Sequence, residues 1–160
     1  MANIGAQVCP LEQVKLAGVT GLLGATATLR KVPRNPLEVH ELLLRGLPAK
    51  ALIHFVQNFI SLRWDESFEK AIGMSLRTYQ RYASGAAKPL STEQSGRTWK
   101  LAEILAKATA VFGSKEAAEQ WLERPAMGLN RQKPIDLLAT PAGVALVEQL
   151  LGRIEYGVYT

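Results

Sequence analysis

The chain has 160 residues, of which 48% are apolar and 21% charged, which suits one domain or two small ones and argues against general disorder. Nineteen Lys and Arg residues against fourteen Asp and Glu give a net charge of +5, which permits a polyanionic partner without requiring one. The lone cysteine, Cys9, excludes an internal disulfide framework, and the longest uncharged run is too short to span a bilayer. We therefore expect a soluble cytoplasmic protein with no membrane partner.

Helical periodicity dominates the chain from Pro36 onward. Residues 1–35 show little hydrophobic periodicity, although the pattern allows some helix there. No segment shows the apolar and polar alternation of a strand, so the sequence predicts an all-α fold. The predicted helices are 36–45, 48–60, 64–72, 75–84, 91–112, 114–123, 134–139 and 141–155.

Capping residues mark several of these boundaries. Ser75 and Ser114 precede helical patterns, and Ser91 with Gln94 has the spacing of a capping box. Thr140 stands before a proline that suits the first helical position. Glycines are expected to end four of the helices, at Gly46, Gly73, Gly85 and Gly113.

The sequence offers no arrangement typical of catalysis or of metal binding. Its two histidines, His40 and His54, lie on separate predicted helices without partners at metal-ligand spacing. The glycines at 18, 21 and 24 do not form a dinucleotide-binding or phosphate-loop motif. We therefore predict a binding protein rather than an enzyme, without a metal or another cofactor.

Residues 64–84 have the spacing of a helix-turn-helix. Gly73 can adopt the left-handed backbone that the tight turn needs, Met74 can fill the gap between the helices, and Ser75 can cap the second helix. Tyr79 and Tyr82, three residues apart, can both face inward. The segment therefore predicts a DNA-binding helix pair.

The outer side of the second helix carries residue types that suit a DNA groove. Arginine reads guanine, glutamine reads adenine, and serine, threonine and lysine hold phosphates. The candidate DNA-binding residues are Ser75, Arg77, Thr78, Gln80, Arg81, Ser84 and Lys88. Arg97 and Lys100 could extend a phosphate footprint. The alternative is an ordinary helical bundle with a solvated basic face.

One residue of the helix pair departs from the usual pattern. The position four residues before the turn glycine normally holds a small residue, and here it holds Glu69. If the two helices packed in the standard way, a glutamate at this position would crowd or rotate them.

Several motifs in the second half of the chain occur together in one order. They are Gln80-Arg81, Leu90–Arg97, Leu101–Ala108, Val111–Ser114, Ala118–Leu122, Pro125–Asn130, Pro134–Thr140, Gly143 and Leu151–Tyr159. In this order they resemble the Xre-type antitoxins of Res–Xre toxin–antitoxin pairs, and the resemblance covers roughly residues 60–160.

The resemblance implies a fold and a function. It implies a helical or dimerisation region at 1–59, a helix-turn-helix DNA-binding domain at 60–112 and a small helical toxin-binding domain at 113–160. Such an antitoxin binds a Res-type toxin that has an ADP-ribosyltransferase-like fold and depletes NAD, and it blocks the toxin's active site. It also represses its own operon by binding upstream operator DNA, and it forms homodimers through its N-terminal part.

The resemblance also directs attention to the 125–133 loop and the 152–160 tail. Positive charge there could be attracted to a cleft built for an anionic dinucleotide, and tyrosines could anchor the contact. The candidate toxin-binding residues are Asn130, Arg131, Lys133, Arg153, Tyr156, Val158 and Tyr159. For Tyr156 the alternative is that it closes the last helix against its own core. The expected core of this domain is Trp121, Leu122, Leu137, Leu138, Leu146 and Leu150.

Two other functions stay open at this point. The chain could be a stand-alone transcription factor whose C-terminal helices dimerise or bind a small ligand. It could also be a pure protein-binding inhibitor whose helix pair no longer binds DNA, a reading that Glu69 favours.

Overall fold

The computed structural model describes residues 10–85 and 88–157, and within these ranges the protein is helical. Strand-type pairing in the described residues is limited to one isolated bridge between Ala126 and Gln132. The predicted all-α class is therefore confirmed. The helices are α1 (Pro10–Leu22), α2 (Pro36–Arg45), α3 (Ala49–Gln57), α4 (Glu66–Ile72), α5 (Leu76–Ala83), α6 (Thr92–Phe112), α7 (Lys115–Leu122), α8 (Pro134–Leu137) and α9 (Pro141–Glu155). In the same ranges, no helix is long and apolar enough to cross a membrane.

Side-chain caps explain where most helices begin. A cap oxygen accepts a backbone N–H three residues ahead, which satisfies one of the free donors of the first turn. The predicted caps Ser75, Ser114 and Thr140 all make this bond, and Ser91 and Gln94 form the complete capping box. Asn35 and Asp65 cap α2 and α4 in the same way.

Three predicted boundaries are wrong by two or three residues, one of them the end of α8, at Leu137 instead of residue 139. Helix α4 begins after Trp64 because the Asp65 side chain accepts a hydrogen bond from Phe68 N at 2.9 Å, which makes Asp65 the cap. Helix α3 ends at Gln57 instead of residue 60, because the amide of Ile60 is bonded to a distant carboxylate rather than to a helical carbonyl.

Helix α6 lies at the centre of one continuous core. Its 21 residues pack against α1, α2, α4, α7 and α9, and its fully buried side chains include Leu101, Ala102 and Leu105. The pattern-poor N-terminal part contributes α1, whose Gly18 faces Ala106 of α6. The long helix therefore connects the helix-turn-helix region with the C-terminal helices.

A face of α7 binds the loop between α3 and α4. Glu119 is fully buried, and its carboxylate accepts hydrogen bonds from the backbone N–H groups of Ile60 at 2.9 Å and Leu62 at 3.1 Å. One turn away on each side, Glu123 accepts from Arg63 N at 3.1 Å and Lys115 donates to the carbonyl of Asn58. Burial lowers the pKa of Lys115, although the charge of Glu119 opposes this. We call this contact the α7 clamp.

The expected core of the C-terminal helices is largely confirmed, with one error. Leu122 and Leu138 are buried, and Trp121, Leu137 and Leu150 pack against the core while partly exposed. The prediction for Leu146 is wrong, since its side chain is 51% exposed. The helix turns this position about 100° away from buried Val147, toward solvent.

Candidate functional site

Helices α4 and α5 form the predicted helix-turn-helix. Gly73 ends α4 with φ of 76° and ψ of 27°, the left-handed conformation that the turn needs. Met74 is buried between the helices, and the Ser75 hydroxyl accepts a hydrogen bond from Thr78 N at 3.2 Å. The turn therefore has the local geometry that the sequence predicts.

Aromatic contacts hold the inner side of α5. The ring of Tyr79 lies 4.8 Å from that of Trp64, which in turn lies 4.7 Å from Phe68 on α4. Burial raises the pKa of Tyr79. The Tyr82 hydroxyl donates to Gln94 Oε1 at 3.4 Å, which ties α5 to the start of α6. The predicted inward orientation of both tyrosines is confirmed.

The outer side of α5 presents the candidate DNA-binding residues to solvent. Arg77, Gln80 and Arg81 are exposed along the helix, and Thr78 is partly buried with its hydroxyl 3.1 Å from that of Ser75. The remaining candidates, Ser75, Ser84 and Lys88, are also exposed. One face of a short helix therefore gathers cationic and hydrogen-bonding side chains of the kind that enter a major groove.

Arg97 and Lys100 both make contacts within the protein. Arg97 donates to the carbonyl of Lys70 at 2.8 Å and lies 3.2 Å from Glu93. Lys100 bridges Glu103 at 2.7 Å and Glu148 at 3.1 Å. Burial alone would lower the pKa of Lys100, but these two carboxylates outweigh it and the pKa is raised. Both cations border a cleft of about 530 Å³ between α6 and α9.

Glu69, the residue that departs from the usual small side chain, makes hydrogen bonds at the turn between α4 and α5. Its side chain reaches across the turn, where Oε1 accepts hydrogen bonds from Leu76 N at 2.8 Å and from Trp64 Nε1 at 3.1 Å. The glutamate therefore bonds both Trp64, which precedes α4, and the first residue of α5.

The 125–133 loop is closed by backbone hydrogen bonds. Gln132 N donates to the carbonyl of Leu129 at 3.0 Å, and the two residues between them have left-handed backbones, with φ of 55° at Asn130 and 63° at Arg131. Arg131 N also donates to the carbonyl of Ala126 at 2.9 Å. A non-glycine residue is uncommon in this conformation, and such strain clusters at functional sites.

This loop lies against α9. Gly128 is so close to Leu150 that a Cβ atom at Gly128 would come within 2.7 Å of Leu150 Cδ1. Leu146, Leu150 and Arg153 follow one another at helical spacing along the same side of α9. The loop and this side of α9 therefore form one surface, which we call the loop–α9 surface.

The predicted toxin-binding residues are exposed where the structure describes them. They are Asn130, Arg131 and Lys133 in the loop and Arg153 and Tyr156 at the end of α9. Tyr156 is 83% exposed, so it does not close the helix against the core. Val158 and Tyr159 lie outside the described residues.

Sequence reasoning missed two apolar residues of the loop–α9 surface. Met127 is 78% exposed in the loop, and Leu146 is exposed on α9. Large apolar side chains in such positions mark contact surfaces when they adjoin one another. The only sequence signal was the placement of Met127 beside Pro125 and Gly128 in a turn.

The helix pair and the helices appended to it define a helix-turn-helix protein with a second, helical binding unit. The family model described as the antitoxin Xre-like helix-turn-helix domain matches residues 38–103. The model described as the antitoxin Xre/MbcA/ParS C-terminal toxin-binding domain matches residues 107–157.

Curated relatives agree with these matches. The antitoxin Xre of Photorhabdus laumondii is 30% identical over 141 residues, which cover 80% of this chain and 93% of that protein. A "Prs ADP-ribosylating antitoxin" of Sphingobium sp. is 28% identical, covering 78% of this chain and 82% of its own length. The antitoxin Xre of Pseudomonas putida is 36% identical, with 44% of each chain covered. The chain belongs to the Xre antitoxin family, a class of regulators, and the resemblance in its sequence is confirmed.

Proposed function

We propose that this antitoxin neutralises a Res-type, NAD-depleting toxin by covering its active site, and that it represses its own operon. The observation that carries the proposal is the presence of two separate exposed faces, α5 and the loop–α9 surface, each with its own chemistry. We assign DNA binding to residues 60–112, toxin binding to 113–160 and homodimerisation to 1–59. The protein would act in the cytoplasm.

The loop–α9 surface suits the mouth of an NAD-binding cleft. Met127 and Leu146 supply exposed apolar side chains on it, and Arg131 and Arg153 supply exposed positive charge. A cleft that binds an anionic dinucleotide would attract such charge, while the apolar side chains exclude water from the contact. Tyr156 adds a rigid, amphipathic anchor at the end of α9.

The proposal is tested by expressing the chain together with the product of its adjacent reading frame. We expect that product to arrest growth and lower cellular NAD when expressed alone, and to be harmless and to co-purify with this chain when both are present. A benign neighbour that does not co-purify would contradict toxin neutralisation and leave a stand-alone helix-turn-helix regulator.

Substituting both apolar residues of the loop–α9 surface should break the toxin complex. M127D/L146D buries two carboxylates at the contact, and loss of interface anchors costs about 2 kcal/mol each, roughly a thousandfold in affinity for the pair. The fold should survive because both side chains are exposed. The measurement is toxin affinity by calorimetry together with growth rescue. If the double variant bound the toxin as tightly as the wild type, the loop–α9 surface would not be the toxin-binding site.

Substituting two arginines of α5 should strongly weaken specific DNA binding and spare toxin binding. Each arginine that reads a base contributes about 1.4 kcal/mol, so R77A/R81A should lose roughly a hundredfold in affinity for the upstream duplex. The charge-matched control is R131A/R153A, which should weaken toxin binding and leave DNA binding intact. Both variants are compared by fluorescence anisotropy, and equal DNA affinities would contradict the assignment of α5.

A further inference from the structure

We infer that Glu69 is the positioning residue of the DNA-reading helix: its carboxylate fixes the start of α5 against α4 and so directs Arg77 and Arg81 toward the bases. This inference rests on the proposed DNA binding by α5. It gives a role to Glu69, which occupies the helix-turn-helix position where a small residue is usual.

The first contact is with the backbone at the start of α5. Leu76 is the first residue of that helix, and its N–H is one of the donors that the helix cannot satisfy by itself. Glu69 Oε1 accepts this N–H at 2.8 Å, while the Ser75 cap accepts the N–H of Thr78. A carboxylate also interacts favourably with the positive end of the helix dipole.

The second contact is with the tryptophan that packs on α5. The same Oε1 accepts the Trp64 indole N–H at 3.1 Å, which fixes the ring where it contacts Tyr79. One carboxylate oxygen therefore holds α5 both through its backbone and through the aromatic residue on its inner side.

The backbone of Glu69 completes the arrangement. Its carbonyl accepts the N–H of Gly73 at 2.9 Å and so closes the last turn of α4. Glu69 thus bonds the end of one helix with its main chain and the start of the next with its side chain. An alanine at this position could keep only the first of these bonds, so the start of α5 would lose its side-chain hydrogen bond to α4.

The orientation of α5 matters more for specific than for non-specific binding. Base readout requires hydrogen bonds of defined geometry, whereas phosphate contacts depend mainly on charge. Loss of the Glu69 carboxylate should therefore lower affinity for the correct duplex and leave affinity for an unrelated duplex unchanged or slightly higher. A residue that only stabilised the fold would affect both duplexes alike.

The test compares full-length wild type, E69A and E69Q, with E66A as the control on the same helix. Glu66 is exposed and pairs with Lys70 at the surface, so its removal should have little effect. The probes are a duplex from the protein's own upstream region and a scrambled duplex of equal length, both followed by anisotropy. Hydrogen exchange at the Leu76 amide reports on α5 without any DNA.

We expect E69A to lose about tenfold in specific affinity, the scale of one charge-assisted hydrogen bond, and to show faster exchange at Leu76. E69Q keeps an acceptor oxygen and should restore specific affinity to within about threefold. If E69A fails to fold, W64F, which keeps an aromatic ring but removes the indole N–H together with the second ring, should show a smaller loss of the same kind.

Two results would overturn the inference. One is an unchanged ratio of specific to scrambled affinity in E69A, and the other is Leu76 exchange equal to that of wild type. If the wild type fails to distinguish the two duplexes, the proposed DNA binding fails separately. In that event Leu76 exchange still decides whether Glu69 holds the start of α5.

Discussion

Replacing Glu119 with alanine should lower the free energy of unfolding by about 4 kcal/mol. The change leaves the N–H of buried Leu62 and the partly buried N–H of Ile60 without their acceptor, at about 1–3 kcal/mol each, and opens a cavity. The carboxylate is fully buried, so water cannot replace it without entering the core. The α7 clamp also holds the loop that leads into α4, so we expect DNA binding to weaken along with stability.

Urea unfolding of the full chain measures this effect. E116A is the matched control, because Glu116 lies on the same helix with its side chain exposed. E119Q retains one acceptor oxygen and should fall between wild type and E119A. A loss in E119A no larger than that in E116A would contradict a structural role for the clamp.

Replacing Gly143 with alanine should destabilise the protein by about 3 kcal/mol, because overpacking against backbone that cannot move aside costs about 1–3 kcal/mol or more. A Cβ atom at this position would lie 1.9 Å from the carbonyl oxygen of Leu137. Helix α9 would have to shift away from α8, which would also displace Leu146 and Arg153 on the loop–α9 surface. Toxin affinity should therefore fall as well.

Gly152, on the same helix, provides a control because its substitution by alanine should raise stability instead of lowering it. A Cβ there meets only the Lys107 ammonium, at 3.9 Å, which is ordinary contact. Because alanine is favoured over glycine inside a helix, G152A should stabilise the protein by about 0.5–1 kcal/mol. Thermal unfolding of G143A and G152A measures both changes in stability. If G143A were as stable as G152A, the close approach of α8 and α9 would not exist in solution.

Much of the local structure could be predicted from the sequence. The caps at Ser75, Ser91 and Thr140 act on N–H groups three residues ahead, and the turn at Gly73 needs only a residue free to adopt positive φ. The amphipathic pattern of α5 likewise predicted which side faces solvent. These features depend on neighbours within one helical turn, which the sequence places at known positions.

Errors and omissions arose where the relevant neighbour is distant in the chain. Leu146 looked like core because its type is apolar, but whether it is covered depends on which side of α9 meets α6. Likewise, nothing in the sequence indicated that Arg97 bonds the carbonyl of Lys70, near the end of α4 and 27 residues away. Residue type and spacing do not reveal such partners.

The sequence by itself therefore determined the helical class, most helix boundaries, the helix-turn-helix and the family resemblance, because all of these rest on local hydrogen bonding and on ordered motifs. Only the tertiary structure decided the role of Glu69, the α7 clamp and the joining of the loop to α9. Glu119 and Ile60 are 59 residues apart, and their bond exists only because α7 packs against the loop before α4. Burial is a property of packed elements, and no local pattern specifies which buried carboxylate meets which free amide.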